Sequence, residues 1–264
     1  MCCHANKGGN YVQRKNSVDF KKYMRCACAS CTYVCCYDDF LFPKWKNVLW
    51  ISSNVAEFDQ YYCAYGIGIQ FKSGRLDFSA GSVMLLSAII AGNVSQMFGN
   101  NLIIFSLLCI FLCVLLNIGV AIVYIYGRLP IIIVTLGMAL LYESITAVVF
   151  EGRGVNSTLK SLTLFPLVLI PLVMSIFIYA IFTYWSVTGR QAQILANNQQ
   201  AGVNIGINEQ KNILVSYIYS GIILGLATMI YASTGIISAS FSSLSSIGGM
   251  FTNLLPVFVG LILA

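Results

Sequence analysis

The feature that most constrains this chain is a polar stretch, residues 188–212, reading TGRQAQILANNQQAGVNIGINEQKN between two nearly uncharged apolar runs at 162–185 and 213–237. Each run is long enough to cross a bilayer, which takes roughly 20 apolar residues in a helix. The charges and amides between them are excluded from hydrocarbon, so this island is expected in water. It is longer than a membrane turn needs. Ile194, Leu195 and Val203 are spaced for a short amphipathic helix with one apolar face, and a membrane protein that displays such a helix is expected to dock something with it.

The solvent of the rest of the chain is read as lipid. With 58% hydrophobic and 9% charged residues and a mean hydropathy of +0.80, the chain lacks the charge that covers a soluble domain, roughly 25% of residues. Continuous rather than alternating apolar runs point to helices and not to a barrel. The expected fold is all-α: a polytopic transmembrane helical bundle. Spans are predicted at 81–97, 102–126, 130–150, 162–185 and 213–237, and a sixth opens at Phe251 and stops at Ala264 inside an apolar run. The membrane region is therefore drawn as 61–264 and read as cut short at its C-terminus. Basic residues stay on the cytoplasmic side. If the island is cytoplasmic, with Arg190 and Lys211, then Arg128 is inside as well; Arg153 and Lys160 fall outside, with Glu151 offsetting one of them.

Residues 1–60 are a different material. They hold His4, the one histidine, and the cysteines Cys2, Cys3, Cys26, Cys28, Cys31, Cys35 and Cys36. Cys28-x-x-Cys31 has no second ligand pair at matching distance, and the adjoining pairs Cys2-Cys3 and Cys35-Cys36 suit neither a tetrahedral metal site nor a simple disulfide framework. No metal site is assigned. The segment reads as a weakly ordered tail or a degraded first span, and no secretory signal is legible in it.

A helix discontinuity is expected near 65–81. Glycines at 66, 68, 74 and 81 lower helix propensity, the apolar stretch 61–71 is half a span long, and Lys72, Arg75 and Asp77 interrupt it. Asp77 and Ser79 stand where an N-cap for the next span would be. Discontinuous helices are also where many transporters build binding sites, so a cap and a place on a translocation pathway are both open for Asp77 and Ser79. Glu143 is the carboxylate in the middle of span 130–150. Such a group is a functional candidate by default, able to line a pathway, bond a solute hydroxyl or carry a proton; the alternative is that Tyr142, Ser144, Thr146 or a neighbouring helix satisfies it. Asn117 and Asn93 are read as interhelical hydrogen-bond donors with a pathway role as the alternative. Pro166 and Pro171 are expected to kink their helix. Ser216, Ser220, Gly221, Gly225 and Ala227, close to four-residue spacing, are expected to allow tight helix contact.

Four of these segments resemble, in order, those of ribose-type ABC sugar permeases in the branched-chain amino acid/ribose permease superfamily. Gly74-Arg75-Leu76-Asp77-Phe78-Ser79-Ala80-Gly81-Ser82 is similar to a Gly-Gly-Ile-Asp-Leu-Ser-Val-Gly-Ser motif that leads into a span of small residues. Pro130-Ile131-Ile132-Ile133-Val134-Thr135-Leu136-Gly137 resembles Pro-Phe-Ile-Ala-Thr-Leu-Gly, and Glu151-Gly152-Arg153-Gly154 stands at a short external loop. In the island, Gly189-Arg190, Asn197-Asn198, Ala201 and Gly206-Ile207-Asn208 parallel a Gly-Arg…Gly-Asn-Asn…Ala-Ala…Gly-Ile-Asn pattern, with Gln200 in place of one of the paired alanines. The resemblance covers about residues 64–264.

What the resemblance implies is a permease subunit of an ATP-binding cassette importer in a bacterial plasma membrane, moving a small polar solute, a monosaccharide before others. Its partners would be an ATPase subunit, an extracellular or periplasmic solute-binding protein, a second copy of the permease and the lipid bilayer, with no nucleic acid and no cofactor. Arg190, Asn197, Asn198, Ala201, Gly206 and Asn208 would make the ATPase-coupling contact of the cytoplasmic loop, and Asp77, Ser79, Glu143 and Asn117 are the candidates for the translocation pathway. The chain has no Gly-x-x-x-x-Gly-Lys-Ser/Thr phosphate loop and so is not expected to be the ATPase, and with no paired acids, His cluster or activated nucleophile legible in the spans no other enzyme is expected. Alternatives are a nucleoside or branched-chain amino acid permease, an ion-coupled secondary transporter, or a truncated inactive permease.

Overall fold

The computed structural model describes residues 55–156, 169–233 and 236–239. The expectations for residues 1–54, Lys160, Pro166 and the sixth span lie outside these residues. What is described is helical apart from one two-residue antiparallel pairing, β1 (Val155–Asn156) with β2 (Ile236–Ile237). The helices are α1 (Val55–Lys72), α2 (Ala80–Met97), α3 (Leu102–Gly127), α4 (Ile131–Val148), α5 (Leu169–Ala180), α6 (Val187–Asn197), α7 (Gln199–Asn204) and α8 (Glu209–Ser233).

Among the described residues, α2, α3, α8 and the segment Ile131–Gly152, which extends α4 by a 3-10 turn, are long and apolar enough to cross a membrane. A fifth span results if Ile170–Trp185 and Val187–Asn197, bent by 69° at their junction, count as one. The chain is thus a helical protein of the multi-pass membrane class. Span boundaries follow local chemistry. Asn101 caps α3, its side chain accepting from the Ile103 amide at 3.1 Å. The same helix ends at Arg128, which adopts the left-handed conformation with φ 50°, and Pro130 then stands immediately before α4, where its missing N–H costs nothing.

Helix α8 is the hub. Its glycines bring it into backbone contact with α3: a Cβ added at Gly221 would lie 2.9 Å from the Val114 Cα, and one at Gly225 would lie 2.6 Å from the Ile110 Cα. These pairings make α3 and α8 antiparallel, and the expected small-residue packing is found here. On α3 the enclosed positions Phe105, Cys109, Cys113 and Asn117 recur every four residues, while Ile103, Leu107, Phe111 and Leu115 recur every four residues on the exposed side. An outward apolar stripe is what a helix bathed in hydrocarbon presents.

The break near 65–81 has a different form from the one expected. Lys72 ends α1 beside Tyr179 and Tyr184, at the C-terminal end of the α5 segment, and Gly74 packs on Ala196 of α6. At the other end of α2, Gly92 packs against Val155, which pairs with Ile237 beyond the C-terminus of α8. Helix α1 therefore runs toward the island and α2 runs away from it, and residues 73–79 are a reversal between two helices rather than an interruption inside one. The apolar signal of α1 was masked in the sequence by Glu57 and Asp59, which made a full helix look like half a span.

The bend before the island is also displaced from expectation. Helix α5 runs through Pro171 without ending there and continues to Ala180. The chain turns instead at a π-helical segment, Ile181–Trp185, followed by Ser186, which is extended and caps α6 by accepting from the Gly189 amide at 3.1 Å.

Candidate functional site

The island is built from two short capped helices on the end of the bundle. Leu195, Ala192 and Gly202 face inward, and a Cβ at Gly202 would touch the Leu195 side chain at 2.7 Å, so α6 and α7 are packed together. The anticipated apolar face is divided: Leu195 is buried against Gly202 of α7, while Ile194 is 43% and Val203 47% exposed, and Ala192, packed with Ile69, Phe182 and Ile223, anchors the island to the bundle. Ile205 joins them at 74% exposure. It was missed because it follows the helical register of neither α6 nor α7.

The residues matched to the permease loop divide by role. Arg190, Asn197, Asn198, Gly206 and Asn208 are exposed and Ala201 is half-buried. Asn198 accepts from the Ala201 amide at 3.0 Å and Asn208 from the Lys211 amide at 3.1 Å, so these two asparagines start α7 and α8. Gly206 has φ +91°, which a glycine adopts freely. Local helix punctuation thus accounts for three of the matched positions, and Arg190 and Asn197 remain free of any structural duty the geometry assigns.

A second group of polar side chains lies inside the bundle at the island end. Asp77 is 2% exposed; its Oδ1 accepts from the Ser79 amide at 2.8 Å and the Ser79 hydroxyl at 2.6 Å. Ser79 itself makes no side-chain cap bond to α2. The cap expected of the pair is therefore a local turn: Asp77 orders Ser79, and the α2 N-terminus is reached through that link. Arg75, 6% exposed, donates from Nη1 to the Ser216 hydroxyl at 2.8 Å. Among the described residues neither Asp77 nor Arg75 forms an ion pair; the described ion pair is Arg153 with Glu151, exposed and at 2.6 Å, of a kind that contributes little.

Asn117 of α3 is fully buried and donates to the Cys113 carbonyl at 3.0 Å, a bond within its own helix rather than between helices. The antiparallel register sets it beside Tyr217 of α8. Tyr142 of α4 donates to the Leu116 carbonyl at 2.8 Å, and Tyr142 and Tyr217 both lie within electrostatic reach of Asp77. Glu143, the next residue of α4, is 2% exposed, and its carbonyl accepts from the Thr146 hydroxyl at 2.7 Å. Asn93 links α2 to the far loop, donating to the Ile89 and Gly154 carbonyls at 2.8 and 3.0 Å.

Asp77, Asn117 and Tyr217 thus converge where the 73–79 reversal, α3 and α8 meet, and Tyr142 joins them from α4. Asp77 Oδ2, Asn117 Oδ1 and the Tyr217 hydroxyl have no hydrogen-bond partner among the described residues, nor do Gln70 Oε1 and Nε2, Thr183 Oγ1 and Asn212 Oδ1. Buried atoms of this kind carry unspent hydrogen-bonding capacity. The sequence signalled Asp77 and Asn117; Tyr217 and Gln70 were missed, although a glutamine inside the run 61–71 was the available sign for the second. The four pathway candidates are all enclosed within this one chain, and the exposed faces of the helices are apolar. Among the described residues no group of three His, Cys, Asp or Glu side chains could hold a metal ion.

Burial raises the Asp77 carboxyl above its ordinary pKa, with the two bonds from Ser79 opposing. A carboxyl raised by folding adds stability below its unfolded pKa, near 3.8, and loses that contribution as pH rises toward the folded value. Asp77→Asn keeps the Oδ1 acceptor and removes the ionisation. The variant is expected to be more stable than the wild type at neutral pH, and to lack the wild type's loss of about 1.4 kcal/mol per pH unit across that window. Thermal unfolding in detergent between pH 4 and 8 checks this; parallel pH profiles for the two proteins would contradict it.

Comparison with protein-family models, curated proteins and solved structures returns no significant match to this chain.

Proposed function

We propose that the chain is a membrane permease subunit of an ATP-driven importer, resembling the ribose-type permeases, that carries a small polar solute, a monosaccharide before others. The observation that carries the reading is the island: a capped, water-compatible helical pair anchored by Ala192, which turns Ile194, Val203 and Ile205 outward beside Arg190 and Asn197. Exposed apolar side chains on a polar loop suit a protein partner, and an ATPase subunit is the partner this reading supplies. The charge distribution supports a cytoplasmic island. Lys72, Arg75, Arg128, Arg190 and Lys211 all belong to its end of the bundle, whereas Arg153, at the opposite end, is paired with Glu151.

In this reading ATP-driven closure of the ATPase displaces the island and reshapes the polar interior, where Asp77, Asn117 and Tyr217 offer acceptors and a hydroxyl of the kind that bind polyhydroxylated solutes. Asp77 Oδ1 is held by the two bonds it accepts from Ser79, as Ser79 is ordered by them, and Oδ2 is left over for a solute. An extracellular or periplasmic binding protein delivers the solute and a second copy of the chain completes the transporter in the bacterial plasma membrane.

The test is co-purification with a candidate phosphate-loop ATPase subunit of the same organism. Arg190→Glu and Ala201→Asp are expected to reduce association at least tenfold without lowering the unfolding temperature of the permease. Unchanged association overturns the docking role of the island. A second reading, an ion-coupled transporter, draws on the buried carboxylates of Asp77 and Glu143; solute uptake into vesicles driven by a pH gradient without nucleotide would decide for it.

A further inference from the structure

We propose that one face of α8 is a strut that carries the position of the island to the 73–79 reversal, with Asn212 and Ser216 as its positioning residues. This rests on the reading of the island as a docking loop.

Positions 209, 212, 216 and 220, at spacings of three and four, fall on one side of a helix. Each bonds a different element. Glu209 Oε1 accepts from Gln199 Nε2 of α7 at 2.7 Å. Asn212 Nδ2 donates to the Thr188 carbonyl of α6 at 2.8 Å. Ser216 Oγ accepts from Arg75 of the reversal at 2.8 Å, and the Ser220 hydroxyl donates to the Gly66 carbonyl of α1 at 2.9 Å. The order of these rungs along α8 is island, island, reversal, α1. The glycine face against α3 lies on another side of the helix, so the ladder is free of that packing.

The chemistry of the middle rungs gives them leverage. Arg75 is a buried cation with no carboxylate in ion-pair distance among the described residues, and the Ser216 hydroxyl is the acceptor that fixes its head. Its own backbone is tied to α1, the Arg75 amide donating to the Gln70 carbonyl at 2.9 Å. Asp77 and the start of α2 follow within five residues. Asn212, also buried, is the rung that reaches α6. A continuous helix from Glu209 to Ser233 has no hinge in which a displacement of its first turns could be absorbed. Movement of α6 and α7 therefore shifts Ser216, and with it Arg75 and the segment that holds Asp77. Direct packing of Gly74 on Ala196 adds a shorter contact in the same direction.

Two arms of a hydrogen-exchange experiment test the strut on the full chain in nanodiscs. In the chain alone, Asn212→Ala is expected to speed exchange of the 73–79 amides severalfold, Ser216→Ala likewise, and the double variant no more than either, because they break one line of contact. Ser216→Thr, which retains the hydroxyl, is expected to restore the wild-type rate, a rescue that loss of general stability would not give. In the complex with the ATPase subunit, ATP is expected to change exchange at 73–79 in the wild type and not in Asn212→Ala or Ser216→Ala, with co-purification unchanged. Additive effects in the first arm, or a preserved ATP response in the second, overturn the strut. If the wild type captures no ATPase subunit, the docking reading falls, and the first arm still decides whether α8 links the island to the reversal.

Discussion

Gly189→Ala is expected to leave little folded protein in detergent, with a cost at the upper end of the roughly 1–3 kcal/mol typical of overpacking, or above it. Gly189 sits in the first turn of α6, and a Cβ there would fall inside van der Waals contact of the Phe182 carbonyl oxygen. The obstacle is backbone, so no side-chain rotamer can relieve it. Phe182 belongs to the π-helical turn and is itself 1% exposed, packed with Ile69, Ala192 and Ile223. Relief must therefore come from opening the 69° bend, which would draw α6 off α1 and release the Asn212 bond to the Thr188 carbonyl. Fluorescence-detected size exclusion after graded heating measures the loss. Arg190→Ala, one residue on and exposed, is the control and is expected to melt within about 0.5 kcal/mol of the wild type. A Gly189→Ala protein as stable as that control would mean that the island does not dock at this bend.

The sequence exposed the parts of this fold in which one physical signal acted alone. Residues 102–126 were bounded correctly because an uncharged run ends at polar caps on both sides, and the structure has α3 at Leu102–Gly127. The island was legible because a stretch rich in amides has no place in hydrocarbon. Where two signals competed, the reading slipped. Glycines at 66 and 68 and the acids at 57 and 59 hid α1, although Gly66 is small for a packing reason: a Cβ there would meet the Leu224 side chain at 2.9 Å. Pro171 suggested a kink, but α5 continues past it and the bend came at the π-helical turn, for which no local residue pattern was read. Asp77 and Ser79 were read as cap candidates for the next span, but that Asp77 bonds Ser79 instead depends on side-chain geometry that spacing does not contain. Asn212 and Ser216 looked like an island edge and a packing residue. Their hydrogen bonds run to Thr188 and Arg75, 24 and 141 residues away, and no local pattern reports a contact of that range.

The glycine face of α8 gives the second large effect. Between helices in lipid the hydrophobic driving force is weak, because lipid tails are as apolar as the side chains they would replace, so close backbone packing does more of the holding. Gly221 and Gly225 supply it. A Cβ at Gly225 would lie 2.6 Å from the Ile110 Cα, and one at Gly221 would lie 2.9 Å from the Val114 Cα and 3.3 Å from the Cys113 carbonyl oxygen. The same interface holds a polar thread. The Ser87 hydroxyl lies 3.0 Å from the Cys113 thiol, and that thiol lies 3.3 Å from the Thr228 hydroxyl, joining α2, α3 and α8. Gly225→Ala is expected to cost about 1–3 kcal/mol, and Gly225→Leu more, since a larger side chain must push α3 away along its length. Such a displacement would lengthen the thiol–hydroxyl contacts as well, so the loss should exceed the steric term alone. Cys113→Ala, which removes the thread without forcing the helices apart, separates the two contributions. The substitution is expected to be much milder than Gly225→Leu, and combining it with Gly225→Ala should give less than the sum of the two if α3 has already moved. Thermal unfolding of the four proteins in the same detergent measures this, and strict additivity would show that thread and glycine contact hold α3 independently.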